Sequence, residues 1–552
     1  MEDGRAKSIK AAEESEARDG GGFDLLNEDL VHNILSRLPA ASFAQAACVN
    51  LSWNQICDRI LSRPKFASAL SLNPSLEAAV GETVDRALST PIRPQFAIAC
   101  VSLRFSLPRA HKLLRKRLGN RTPIITSGAR GIIGRDAISG EFKEVQWEDD
   151  ETEGGGDQQG ICLFVGFIPG VKVDAIPSLR SPKTYTHAVY DKFVLDIREF
   201  STITSGNPSP AAIMIFGDQE SNMRTIVEKI DYAMPPGTVI VGNTHSFFLY
   251  GSSNCSSDVG HRRDCSCQCV ALVFVRDRHK PQAGIGETHF HVTVSDGLRS
   301  VGNIYKAVSV RTPGVAKSST WLTAKRDGSS EVLDGLRMVQ DVDDELGNNN
   351  VCRDLFTGII KRRKYSIGME NPLPMTTLTF HGVSGFNEEY LFLDGLGIKT
   401  GDSFQFYTSD SSVAISSCST VCEELRRLKQ NWTCQHCSPI EANADIAKTE
   451  VCGGFIFSCC GRGEWLFEKP NVDSSPLLDV FPDIPVAGLF CDGEIGRGCS
   501  SSIASGVQGT PRCPLHVYSS VYLVLSYTPT ASQHQLSANN IITSRGKWPS
   551  VV

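Results

Sequence analysis

Three cysteine-bearing clusters place chemistry-capable side chains at short spacing. Cys265, Cys267 and Cys269 alternate, as do His289 and His291. On strands each set would share one face, an arrangement that can hold a metal ion. Cys-x-Cys is not the spacing of the usual zinc loops, however, and Cys269 heads an apolar run where a thiol is simply a small hydrophobe. Cys418 and Cys422 precede a C-x-x-C at Cys434 and Cys437 that encloses His436. Those four thiols suggest zinc, but Cys418 and Cys422 fall one helical turn apart on a segment read as a helix, which suits a closed tetrahedral site badly. No metal or other cofactor is expected. The third cluster reads VCGGFIFSCCGRGEWLFEKP and then PVAGLFCDGEIG. Gly461, Gly463, Gly493 and Gly496 let the backbone turn sharply or approach a neighbour closely. Turns at the ends of neighbouring strands would converge, so Arg462, Gly463, Glu494 and Gly496 form the candidate ligand- or substrate-binding set. The architectural alternative is an Arg462–Glu494 pair that ties two turns together.

Signs of catalysis are weak. GEIGRG lacks the strand–GxGxxG–helix order of a dinucleotide site, and no P-loop, G-x-S-x-G or kinase lysine strand occurs. The remaining catalytic candidates are Cys459 and Cys460 as reactive thiols. Lys361–Lys364 (KRRK) reads as a nuclear-import patch or as a solvated basic loop.

The elements that must position these residues are mixed. QFAIACVSL, PIITSGA, EFKEVQW and ICLFVGFIPG read as strands, and Pro108 to Leu118 as a basic helix. AAIMIFGD, a helix from Met223 to Met234 and TVIVGN make a strand–helix–strand unit. CQCVALVFVRD, THFHVTVSDG, TTLTFHGVSG, EYLFLDG and DSFQFYTSD continue the strand pattern, with helices near Ser329 to Leu346 and Ser411 to Lys429. Glu148 to Gln159 and Asn254 to Asp264 read as solvent loops. No LxxLxL period is present.

At 552 residues the chain can hold several domains. Its 41% hydrophobic and 21% charged content is that of a soluble globular protein. A net charge of −6 gives no electrostatic reason to expect nucleic acid or a membrane surface, and no apolar run approaches the ~20 residues of a membrane span. Residues 1–22 read as a disordered tail, not a signal peptide. With no secretory signal, the 19 cysteines imply reduced thiols in cytoplasm or nucleus.

Residues 25–66 read differently, as a three-helix docking module. Leu26, Leu30, Val31, Ile34, Leu35 and Leu38 recur at helical spacing. Asn27 can cap that helix, Glu28 and Asp29 sit at its positive end, Leu26 and Val31 can staple it, and Pro39 stops it. A second stripe, Trp53, Ile56, Cys57, Ile60 and Leu61, follows a possible cap at Ser52. So short a module cannot bury all this apolar surface itself, which points to a partner protein.

Leu26, Leu30, Ile34, Leu35, the Leu38–Pro39 pair, Val49 and Trp53 together resemble an F-box, with Asn27 standing where F-boxes usually carry proline. The resemblance implies docking of a Skp-type adaptor through these residues and, through it, a cullin of an SCF-type ubiquitin ligase. The glycine-turn cluster resembles the C-terminal half of a FIST domain, and SGARGIIG at Ser127 to Gly134 resembles the glycine-rich turn of the N-terminal half. The implied fold class is α+β, a three-helix F-box followed by a large mixed α/β body. The implied boundaries are an F-box at 23–66, a linker at 67–94, FIST-like halves at 95–275 and 276–530, and a flexible tail at 531–552. The implied function is a non-catalytic receptor that holds a protein substrate for ubiquitination and proteasomal degradation. A small-ligand sensor is the alternative.

Overall fold

The computed structural model describes residues 27–147, 159–180, 186–219, 221–252, 266–280, 284–312, 319–347, 354–364, 374–434, 449–497 and 513–530. The N-terminal module is three short helices, α1 (Glu28–Leu35), α2 (Ala40–Ala46) and α3 (Leu51–Ile60). Asn27 caps α1 by accepting from the Asp29 N–H. Asn50, not Ser52, caps α3: its side chain accepts from the Trp53 N–H at 2.8 Å. Leu26 lies outside the described residues, so the expected staple does too.

The body begins at once. Strand β1 (Lys65–Ser71) and helix α4 (Leu76–Ala87) occupy the stretch expected as a linker, and both belong to the core. The chain continues through β2 (Phe96–Ser102), α5 (Leu107–Leu118), β3 (Ile124–Ala129), β4 (Gly131–Arg135), β5 (Phe142–Gln146), β6 (Ile161–Phe167) and β7 (Val171–Arg180). Next come α6 (Thr186–Ser205), β8 (Ala212–Gly217), α7 (Met223–Ala233), β9 (Val239–His245), β10 (Phe248–Gly251), β11 (Ser266–Arg276) and β12 (Glu287–Ser295). Then follow β13 (Leu298–Arg311), β14 (Ser319–Arg326), α8 (Gly335–Leu346), β15 (Leu355–Lys364), β16 (Pro374–Phe386), β17 (Leu391–Asp394) and β18 (Ser403–Ser409). The chain closes with α9 (Ser411–Cys434), β19 (Glu450–Cys459), α10 (Glu464–Phe467), α11 (Ser475–Leu478), β20 (Val486–Arg497), β21 (Leu515–His516) and β22 (Ser520–Thr528).

These strands form three sheets. Five strands in the order β1-β6-β2-β3-β10 face a larger sheet with the path β12-β22-β19-β20-β9-β8-β11-β7, to which β4, β5 and β21 attach. Phe66, Phe96, Phe164, Phe216, Phe274, Phe455 and Phe457 fill the core between them. The expected division at 275 does not separate the sheets, because β7, β8, β9 and β11 share the large one with β12, β19, β20 and β22. Strands β13 to β18 close into a separate barrel in the order β13-β14-β17-β16-β15-β18, with its own core around Tyr305, Phe404 and Phe406.

The three-helix module is seated on this body. The Ala40 N–H donates to the Leu88 carbonyl at 2.9 Å. Tyr527 donates its hydroxyl to the Ser62 carbonyl at 3.0 Å, and Arg63 pairs with Glu450 at 3.3 Å.

Candidate functional site

The structure sorts the expected adaptor-binding residues into two groups. Leu35 is fully buried in the module's small core with Val31, Phe43, Ile56, Cys57 and Ile60; Leu38 and Trp53 pack half-buried against it. Leu30 is 53% exposed, Ile34 49% and Val49 62%, and Pro39 is exposed at the start of α2. Leu51, which the sequence pattern did not single out, is 81% exposed. Leu30 and Ile34 are four residues apart on α1, so they share one face one turn apart. Scattered exposed leucines are ordinary, but four large aliphatic side chains in water on so small a module mark a contact surface.

The glycine-turn cluster has the opposite character. Arg462 is fully buried, one of the largest side chains with no solvent contact. Its Nε donates to Asp473 Oδ1 at 2.8 Å and its Nη1 to the Tyr518 carbonyl at 2.9 Å. Nη2 reaches Ser295 Oγ at 3.1 Å and Cys418 Sγ at 3.4 Å, and the guanidinium lies over the Phe467 ring. Asp473 also accepts from the Gly463 N–H at 3.0 Å and from Ser520 Oγ at 2.7 Å. The carboxylate partner of Arg462 is therefore Asp473, not Glu494 as the architectural alternative had it. Asp473 lies in a stretch with no strong pattern, so only three-dimensional proximity finds it. A Cβ on Gly461 would meet the Tyr518 ring at 2.7 Å, and one on Gly463 (φ +67°) would meet Gln146 Oε1 at 2.3 Å. Those two glycines let the hub close.

Glu494 lies on β20 opposite Asn243 of β9 and is fully buried. Burial, then the neighbouring Cys459, push its carboxyl well above the usual carboxylate range. Among the described residues its Oε1 has no hydrogen-bond partner, and neither does either amide atom of Asn243. The expected turn at Gly493–Gly496 is a kink at Gly493 (φ +76°) inside a continuous strand, and Gly496 is an ordinary strand residue of β20. Arg462 and Glu494 do not line an open pocket.

Glu144 on β5 joins the hub from the other side. Its Oε1 accepts from the Ser474 N–H at 2.6 Å, while its buried Oε2 has no partner among the described residues. Burial and the adjacent Asp473 charge push this carboxyl up to about 7, although the residue's stem is part-exposed.

The metal candidates separate. Cys418 and Cys422 are buried on α9, and Cys418 is spent on Arg462 and Ser295. Cys265, His436 and Cys437 lie outside the described residues, as does the side chain of Cys434. Cys269 is fully buried in β11, as a small hydrophobe would be. Burial lowers His291 to about 4, and its Nε2 contacts Ser526 Oγ at 2.9 Å. Among the described residues no three His, Cys, Asp or Glu side chains gather closely enough to hold a metal ion. The basic run Lys361–Lys364 is part of barrel strand β15, not a loop, and Lys361 is buried beside His381. Among the described residues no helix is long and apolar enough to cross a membrane.

Comparison with known proteins agrees with this geometry at both ends. Residues 23–64 match the F-box domain and residues 383–497 the FIST C domain. The FIST C match spans the last barrel strands, the Arg462 hub and β20. Two uncharacterised Mycobacterium tuberculosis proteins are 46% identical over 44 residues, 8% of this chain and 12% of each. An Arabidopsis thaliana F-box/LRR-repeat protein is 42% identical over 511 residues, 91% of this chain and 93% of that protein. The repeat in that name has no counterpart here: the described strands form two sheets and a barrel, not a stacked solenoid. Identity at that level along almost the whole of both chains shows that this chain belongs to the F-box protein family, in the form that joins an F-box to a FIST C domain.

Proposed function

We propose that the chain is the substrate-recognition subunit of an SCF-type ubiquitin ligase. Leu30, Ile34, Val49 and Leu51 would meet the Skp-type adaptor and bring the cullin with it, and the FIST-bearing body would hold the protein to be ubiquitinated. The observation that carries this reading is the exposure of those four aliphatic side chains on a module whose remaining apolar residues form its own core. The body contributes position. A bound target is held near the ubiquitin-charged enzyme, which raises the effective concentration of its lysines there. Arg462 and Glu494 have no solvent contact and serve the body's architecture in this reading. A substrate would meet exposed apolar parts of the body instead, such as Leu103 and Phe247, each 52% exposed. The chain would act in cytoplasm or nucleus.

The test is the double variant Leu30→Glu, Ile34→Glu. Adaptor and cullin should be lost from affinity purifications while the melting temperature stays that of the wild type. Adaptor recovered at wild-type yield would overturn the docking assignment. Comparing proteins captured by the wild type and by this variant would then identify targets, since the variant still binds but no longer delivers them.

A further inference from the structure

Residues 86–135 contain eleven lysines and arginines and no aspartate or glutamate, in a chain whose net charge is −6. The run is centred on α5, whose inward face of Ala110, His111, Leu114, Arg115 and Leu118 is buried. Arg109, Lys112 and Lys116 share the outward face, and all three are exposed. Two cations of the helix are answered by α4: Arg109 pairs with Glu77 at 2.5 Å and Arg117 with Asp85. The pairs follow the same order along both helices, so α4 and α5 lie side by side and parallel. Lys112 and Lys116, and Arg121 just beyond the helix, meet no carboxylate among the described residues. Helix stability does not account for this charge. Cations in the last turn offset the helix dipole, which covers Lys116 and Arg117, but Arg109 stands in the first turn with no acidic residue beside it there. The carboxyl end of α5 lies toward the three-helix module. Asp85, the partner of Arg117, comes one turn before Leu88, whose carbonyl accepts from the Ala40 N–H.

We propose that the outward face of α5 is a docking surface for an extended acidic peptide segment of another protein. That this protein is the target rests on the receptor reading above. Lys112 and Lys116 are separated by about 6 Å along the helix axis. Carboxylates on alternate residues of an extended chain stand about 6.5–7 Å apart, so one strand of peptide can answer both. Single exposed charge pairs are weak; several in step, on a run with no acidic residue of its own, give steering and selectivity. A nucleic acid fits less well, because α5 has no phenylalanine, tyrosine or tryptophan on which a base could stack. A membrane surface fits no better, since none of the leucines of α5 is exposed.

The test titrates the full chain into a fluorescein-labelled deca-glutamate peptide at low salt and neutral pH and reads fluorescence anisotropy. The wild type should bind saturably, and added salt should weaken the complex. Lys112→Glu, Lys116→Glu should lower the affinity roughly tenfold or more. Lys306→Glu, Lys399→Glu makes the same change in net charge at two exposed barrel positions and should stay within about twofold of the wild type. No saturable binding by the wild type would overturn the proposal, as would equal losses in the two variants. Labelled deca-thymidylate bound as tightly as the peptide would also overturn it, in favour of a nucleic-acid surface. Should the α5 variant not fold, Lys112→Gln, Lys116→Gln removes the charges without reversing them, and an unchanged affinity there would overturn the proposal equally. The receptor reading is scored separately. The α5 variants should recover adaptor and cullin at wild-type yield, and Leu30→Glu, Ile34→Glu should still bind the peptide.

Discussion

The N-terminal helices and the Arg462 hub invert each other. The first leaves four large aliphatic side chains in water; the second takes a guanidinium and two carboxyl groups, those of Asp473 and Glu494, entirely out of it. Each arrangement costs free energy, and the difference lies in what offsets the cost. At the hub the offset is internal: Asp473, Ser295, Cys418 and the Tyr518 carbonyl all receive Arg462. Among the described residues nothing covers Leu30, Ile34, Val49 or Leu51, and in the proposed function the adaptor supplies the offset. The charged glycine-turn residues are buried, whereas the apolar stripe is exposed, as the proposed docking role requires.

The largest effect that would break this comparison is expected at Arg462. Arg462→Ala leaves Asp473 buried without its cation and strands the Tyr518 carbonyl, so unfolding free energy should fall by about 3–5 kcal/mol. Denaturant titration reads this directly. A melt indistinguishable from the wild type would mean that the hub is not structural and would restore a binding role to Arg462.

Two neighbours on α1 should part company next. Leu35→Ala empties part of the module's core and should destabilise the F-box by about 2–4 kcal/mol. Ile34→Ala should change stability by less than about 1 kcal/mol, because its side chain is already in water, yet weaken adaptor binding severalfold or more. Calorimetry on each variant beside an adaptor-binding titration checks both. Equal stability losses would erase the distinction between inner and outer faces.

The legibility of the two regions differed for a physical reason. Helical spacing reports which side chains lie on one face, so Leu30, Ile34 and the Leu38–Pro39 stop were readable, as was the Asn27 cap. Spacing does not say which face is inward, so it groups Leu35 with residues it does not resemble, and it gives no sign of Leu51 at the start of α3. The strands around 95–102, 124–129, 212–217 and 239–245 were readable from their apolar runs. The stretch 67–94 was not, because Pro74 and Pro91 look like linker punctuation although they flank a core helix. The 20-residue α6 was missed, and barrel closure depends on pairings such as β13 with β18 that no local pattern encodes. At the hub, glycines revealed close backbone approach, but Asp473, 11 residues after Arg462, has no distinguishing spacing, and Glu144 comes from a distant segment.

A pH dependence sharpens the same contrast. Glu144 is raised from 4.5 to about 7, so the stability it contributes is fully present below pH 4.5 and is lost as pH rises through 7. Glu144→Gln mimics the protonated form. The wild type should match it near pH 4.5 and fall behind by on the order of 2 kcal/mol at pH 8, allowing for the part-exposed stem. Among the described residues the helical module buries no carboxyl or histidine, so an isolated change in F-box stability over that range would point elsewhere.

The smallest effects concern the seat that joins the two regions. Arg63 and Glu450 are 29% and 53% exposed at their side chains, so water and salt screen their attraction, and Arg63→Ala should cost less than about 0.5 kcal/mol. Tyr527 is different: its ring is buried, its hydroxyl donates to the Ser62 carbonyl at 3.0 Å and it accepts from the Gly286 N–H at 2.7 Å. Tyr527→Phe leaves both backbone groups without that partner and should cost about 1–2 kcal/mol. If the F-box is fixed to the body through this hydrogen bond and the Ala40–Leu88 contact, amide hydrogen exchange at residues 60–66 should quicken in Tyr527→Phe and stay unchanged in Arg63→Ala. The reverse ranking would mean that a surface ion pair holds the module, and that the distance from adaptor to substrate rises and falls with salt.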